Sequence, residues 1–257
     1  MNKMTNLEEE MSASLMMDAP ELRAVLRDFK PARLNNMNAA ADEILECYRV
    51  LKKGSSNIVG EILRGQGTFY EWDHYPEGDI YDDETHAQYY YHSHREDEHG
   101  HFHTFLRLKG MKKDVKPVPY DGSAEWPTAE DEILSHLIAV SMDSAGFPTQ
   151  LFTTNRWVTG ENWYDKKDVI AMLDSFAIDH STPSWPANRW LTAMIIIFRP
   201  QIERLIIARD ARILEWQAQK PGEDVYEDKD LEITSILNIK VEDQIRTIKE
   251  VVEGRLD

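Results

Sequence analysis

Seven of the chain's nine histidines fall between His74 and His103, and five of them alternate with other residues in two short runs, His92-Ser93-His94 and His99-Gly100-His101-Phe102-His103. On a β-strand that alternation sends all the imidazoles of a run to one face. Neutral imidazole is a ligand for first-row divalent metals, and crowding keeps imidazoles neutral because a proton on one ring disfavours a proton on the next. The spacing therefore points to a metal centre. If Arg95 to Glu98 closes a hairpin symmetrically, His94 lies opposite His99, His92 opposite His101, and Tyr90 opposite His103. Opposed Cβ atoms sit about 4.5–5.5 Å apart, so two such rings can converge on one ion at about 2.0–2.1 Å from each nitrogen. The expected ligands are His92, His94, His101 and His103, and Glu96, Asp97 or Glu98 at the turn could add a carboxylate.

The same strand face carries Gln88, Tyr90, Phe105 and Arg107, while Tyr89, Tyr91, Phe102, Thr104, Leu106 and Leu108 face the other way as a candidate core. A slip of one residue in either strand would move its histidines to that apolar face, so the reading depends on register. Arg107 could pair with a substrate carboxylate or phosphate, or with one of the chain's own acids. Tyr90 lies beside the ligands. A third catalytic candidate, Glu161, sits in the polar and aromatic run Phe152 to Trp163, which either lines a ligand site or plugs the core with its tryptophans. Imidazoles with at most one carboxylate suit Fe(II), Zn, Cu or Mn, and sequence does not choose among them. Iron would favour oxygen chemistry and zinc an activated water; the surrounding tyrosines tilt the expectation towards an oxidative enzyme acting on a small molecule. The competing expectation is a non-enzymatic metal- or haem-binding protein, or a structural partner protein.

These residues need a scaffold, and the periodicity supplies an α+β one. Apolar residues return at helical steps through the first 65 residues, as in Met37, Ala41, Ile44, Tyr48 and Leu51, with Gly54-Ser55-Ser56 as a stop. The stretch Thr68 to Thr85, rich in Asp, Glu, Gly and Pro, is expected to be loop. Two hairpins follow, His86–His94 with His99–Leu108, and Leu134–Asp143 with Thr149–Asn155. They predict a four-stranded antiparallel sheet over residues 66–156. The run Leu137 to Met142 is apolar on both sides, which implies that part of the histidine face is covered. Helices are expected over 164–257, with a kink or break at Pro200 in the segment from Asn188 to Gln219 and a last helix from Val241. Nothing forces a division, so residues 1–257 read as one α+β domain with helices 1–65 ahead of the sheet.

Composition narrows the partners. With 29 Lys+Arg against 46 Asp+Glu the net charge is −17, which repels phosphate backbones, so no nucleic-acid partner is expected. A single cysteine, Cys47, excludes an internal disulfide and a Cys-x-x-Cys zinc site. No apolar run approaches the ~20 residues of a membrane span. A cytoplasmic protein is the expectation, with its oligomeric state open. Phosphate-binding glycine loops, the Gly-x-Ser-x-Gly elbow and His-Glu-x-x-His are all missing, which leaves nucleotide cofactors without support.

Four stretches carry a resemblance: His74-Tyr75-Pro76 through Asp79, Gln88 to His92, His99 to Arg107, and Leu151 to Trp163. Together they resemble a family of bacterial proteins of unknown function, found chiefly in proteobacteria, over most of the chain. The resemblance implies a bacterial cytosolic protein and supplies no activity or cofactor.

Overall fold

A computed structural model describes residues 3–94, 99–122 and 124–254. Four helices come first: α1 (Lys3–Leu15), α2 (Ala19–Asp28), α3 (Pro31–Lys53) and α4 (Ile58–Leu63). Their ends follow local chemistry. Asp18 caps α2 by accepting from the Glu21 N–H, Asn57 caps α4 by accepting from the Gly60 N–H, and both α2 and α3 carry a proline in the first turn, where its missing N–H leaves nothing unpaired. The apolar stripe of α3 is buried from Leu34 to Leu51 and includes Cys47, whose thiol is pushed up to about 12 by burial and is therefore unreactive.

Six strands form one antiparallel sheet in chain order: β1 (Tyr75–Tyr81), β2 (Ala87–His92), β3 (Gly100–Arg107), β4 (Leu134–Met142), β5 (Pro148–Thr154) and β6 (Ile233–Asn238). The α+β class holds, but the four-strand expectation falls short by an edge strand on each side. β1 lies in the stretch expected to be loop. Its Pro76, Gly78 and Asp79 are poor strand formers, and they are accommodated because β1 is an edge whose pairing is irregular: Tyr75 faces Tyr91 and Ile80 already faces Tyr89. Gly78 and Asp79 absorb the surplus with positive φ angles of 84° and 59°. β6 sits against β5 across some eighty residues, from which no local turn signal could announce it.

Between β5 and β6 run α5 (Arg156–Thr159), α6 (Lys166–Met172) with a following 3-10 turn, α7 (Trp185–Ile197) and α8 (Arg199–Gln219); α9 (Val241–Glu253) ends the described chain. The expected interruption is a clean break at Phe198, which leaves Pro200 in the first turn of α8. Helix α7 is buried around most of its circumference because it lies between sheet and helix. Trp190 touches Phe102 of β3 at 5.9 Å between ring centres and donates to the Tyr48 hydroxyl of α3 at 3.0 Å. Tyr89 and Tyr91, Phe102, Leu106, Leu137, Ile138 and Val140 form the sheet's contribution to this main core. The opposite face, bearing the histidines, is partly roofed by α1, whose Met11 packs on Ala139, Phe152 and Ile236 while the Ser12 hydroxyl accepts from the Asn238 N–H. Among the described residues no helix is long and apolar enough to cross a membrane.

Candidate metal centre

The pairing of β2 with β3 is the expected one: Gln88 faces Phe105, Tyr90 faces His103, and His92 faces His101. Strong alternation fixed it, since a slip of β3 would have put His101 and His103 into the main core, and a slip of β2 would have put His92 in and Tyr89 and Tyr91 out. Gly100 makes the close start of β3 possible. A Cβ there would strike the Tyr91 ring and the His92 carbonyl. The turn residues Arg95 to Glu98, and with them the proposed carboxylates Glu96, Asp97 and Glu98, lie outside the described residues. His94 stands next to the cluster, whereas His99 is exposed and gives its N–H to the Met142 carbonyl at the strand end.

Ligand nitrogens of His92, His94 and His101 lie within 4.8 Å of one another, a grouping that could hold a metal ion. The finer contacts are closer. Nε2 of His101 is 2.7 Å from Nε2 of His92 and 3.0 Å from Nε2 of His103. A ring nitrogen has one in-plane site, occupied either by a lone pair or by a proton, so Nε2 of His101 can make a full-strength hydrogen bond with only one of these neighbours. A cation could take the lone pairs of His92, His94 and His101 together, whereas His103, in contact with His101, stands outside that grouping. Two nitrogens each about 2.0–2.1 Å from one ion are about 2.9 Å apart at a right angle and about 3.4 Å apart at a tetrahedral angle, so the observed spacings match the tighter arrangement.

Burial keeps the His92 and His103 rings neutral. His101 and His103 are fully buried and His92 is 6% exposed. Desolvation, reinforced by the neighbouring imidazoles His101, His94 and His74, brings His92 down to about 2, and desolvation with His101, His136, His92 and His94 nearby pushes His103 well below the usual histidine range. An uncharged imidazole in this state has a lone pair to donate at any physiological pH.

His136, on β4, was not anticipated, and a bulge explains why. Thr104 faces Ile138 but Phe105 faces His136, so β4 holds one extra residue there. Leu137 and Ile138 both enter the main core, and the alternation that would have buried His136 among them is reversed. Its Nε2 lies 3.0 Å from Nδ1 of His103, and the ring is 2% exposed. Glu161 secures the bulge from the side: its Oε2 accepts the His136 N–H at 2.6 Å, while Oε1 has no hydrogen-bond partner. Burial raises this carboxyl to about 7 against the opposing pull of Arg209 and Arg156. The neighbouring tryptophan Trp163 plugs a satellite core with Ile213, Val225 and Leu231.

Tyr90 touches His92 and His103 at 5.1 and 5.2 Å between ring centres, and burial raises its hydroxyl above the ordinary tyrosine range, so it stays protonated. On its outer side His74 stacks flat at 3.6 Å. Asp79 Oδ1 lies 3.0 Å from His74 Nδ1, and a carboxylate can only accept, so the His74 proton sits on Nδ1. Gln88 donates to the other Asp79 oxygen at 2.6 Å, and Arg107 donates to Gln88 at 2.5 Å and to the Asp131 carbonyl at 2.6 Å. Arg107 thus ends a chain of side chains that fixes His74. His74 also lines a cleft of about 800 Å³, together with Gln66, Tyr70, Asp73, Glu77 and Asp79. Beside it Trp72, at φ 74°, stacks on His94 at 4.5 Å. His86 bonds the Tyr81 hydroxyl at 2.5 Å, apart from the cluster.

No curated protein and no solved structure matches the chain. Residues 38–239, a range holding all six strands and every histidine of the cluster, match a family described as a domain of unknown function, DUF6969. The chain belongs to this DUF6969 family.

Proposed function

We propose that the protein holds a divalent transition metal, Fe, Zn, Cu or Mn, on His92, His94, His101 and His103, and that this centre serves an enzyme acting on a small molecule. One observation carries the reading: a single buried nitrogen, Nε2 of His101, has two other ring nitrogens at 2.7 and 3.0 Å. Such a metal supplies redox chemistry if it is iron or copper, or Lewis acidity if it is zinc. The cleft lined by His74, whose ring stacks on that of Tyr90, is the space proposed for a small molecule. Tyr90, kept protonated, packs against the rings of His92 and His103. Arg107 and Glu161 act from behind, the first through Gln88 and Asp79 on His74, the second through the backbone of His136. The buried tyrosine beside the imidazoles tilts this reading towards oxidative chemistry over hydrolysis.

A second reading, a metal-binding protein without catalysis, is favoured by the complete burial of His101 and His103 and by Trp72 lying over His94. The experiment that tests the shared premise is elemental analysis of untagged protein beside the His92→Ala, His101→Ala double variant. Near-stoichiometric metal in the wild type and loss of it in the variant are expected. No stoichiometric metal even after anaerobic addition of Fe(II), Zn(II), Cu(II) or Mn(II) would remove both readings.

A further inference from the structure

We infer that His136 is a positioning residue of the centre, which accepts the Nδ1 proton of His103 and so turns the Nε2 lone pair of His103 towards His101. The inference rests on the metal reading above and adds a residue to it. A neutral imidazole carries one proton, so His103 can present Nε2 as a ligand only if that proton is on Nδ1. The atom facing Nδ1 is Nε2 of His136, at 3.0 Å. His136 must then keep its own proton on Nδ1 and use Nε2 as acceptor. Ligating histidines are commonly held in this way through the second ring nitrogen, and loss of the holder typically weakens metal binding 10–100-fold.

Two features of β4 show that the arrangement is built. The bulge at Leu137 is the only irregularity in the β3–β4 register, and it brings His136 to the histidine face; a regular strand would have set Leu137 opposite Phe105. A bulge disturbs local backbone pairing, and here the His136 N–H is taken by Oε2 of the buried Glu161. The ring is therefore anchored at its backbone by Glu161 and aimed by the extra residue. Its edge meets His103 and Phe105, at 5.0 and 5.3 Å between ring centres.

The test compares His136→Gln with His136→Leu. Glutamine can place an amide oxygen near the position of Nε2 and accept the same proton, whereas leucine fills the volume without an acceptor. Long-range proton–nitrogen NMR on the metal-free proteins reads the His103 tautomer, and titration with Co(II) against a chelator reads affinity. Expected are an Nδ1-protonated His103 in the wild type and His136→Gln, a mixed or Nε2-protonated His103 in His136→Leu, and Co(II) binding 10–100-fold weaker in His136→Leu, with His136→Gln within about threefold of wild type. Equal Co(II) affinity in wild type and His136→Leu, or equal loss in both variants, would overturn the role of His136 while leaving the metal centre standing. The expected tautomers without Co(II) binding by the wild type would instead remove the metal reading and keep His136 as the group that sets the His103 tautomer.

Discussion

Replacing Glu161 by glutamine should change how stability depends on pH, in a direction fixed by the structure. The carboxyl is fully buried, one oxygen is committed to the His136 N–H, and burial raises its pKa from 4.5 to about 7. A raised folded pKa means that the folded state binds the proton more tightly than the unfolded chain does. The stability associated with that proton is present below pH 4.5 and is lost as pH rises through about 7. The full loss is 7 − 4.5 = 2.5 pH units at about 1.4 kcal/mol each, so about 3 kcal/mol. Between pH 5.5 and pH 8 roughly 2 kcal/mol of it should develop. Glutamine keeps an oxygen for the His136 N–H and cannot ionise. The two nearby guanidiniums are not orphaned by the change, because Arg156 retains Glu227 and Arg209 retains Asp210.

Urea unfolding of metal-free wild type and Glu161→Gln at pH 5.5, 6.5, 7.5 and 8 gives the comparison directly. Titration of the buried histidines is common to both proteins and cancels in the difference. The variant should gain on the wild type by about 2 kcal/mol across the range, whatever its offset at pH 5.5. A difference that stays flat within about 0.5 kcal/mol from pH 5.5 to 8 would show that the carboxyl ionises at its ordinary pKa, and would refute the picture of a desolvated Glu161 holding the bulge.

Other substitutions probe the supports of the site. Gly100→Ala should lower stability by about 1–3 kcal/mol, since a methyl there meets the Tyr91 ring and the His92 carbonyl; an unchanged urea midpoint would contradict that contact. Tyr89→Phe leaves the buried Asn188 oxygen without the donor now 2.5 Å away, and about 1–3 kcal/mol should be lost in the same assay. Trp72→Gly should relieve the strain of a tryptophan at φ 74° while uncovering His94. A thermal midpoint at or above wild type, with faster removal of bound metal by a chelator, is expected, and slower removal would show that Trp72 does not cover the centre.

The parts of the fold that were legible in the sequence are those whose local pattern and tertiary role agree. In Gln88 to His92 and His99 to Arg107, large β-forming rings alternate with polar ones, and each set finds the face its chemistry requires. The break near Pro200 and the end of α3 at Gly54 are likewise local events. The edge strands were not legible because their strand character is imposed from outside. Tyr75 to Tyr81 becomes β1 through β2 beside it, and its surplus residues are what bring Asp79 within reach of His74. Ile233 to Asn238 pairs with β5 across the four intervening helices α5 to α8.

The site shows the same division more sharply. Alternation placed His92, His101 and His103 together, but the same rule carried along β4 from Ile138 would put His136 on the apolar face, because one bulged residue inverts the alternation before it in the strand. The only trace in the sequence is the pair Leu137-Ile138, two large apolar residues in succession between His136 and Ala139. Both can be buried in the helical core only if the strand yields a residue there, and the histidine before them then turns towards His103. Arg107 was legible as a charged group on the right face and illegible in its partner. With Gln88 and the Asp131 carbonyl both accepting from it, its positive charge is committed along the sheet, and its influence reaches the cleft through Asp79 and His74. A substrate chosen by this cleft would therefore meet Asp73 and Glu77 before any guanidinium, which favours a neutral or cationic molecule over the carboxylate or phosphate that Arg107 alone suggested.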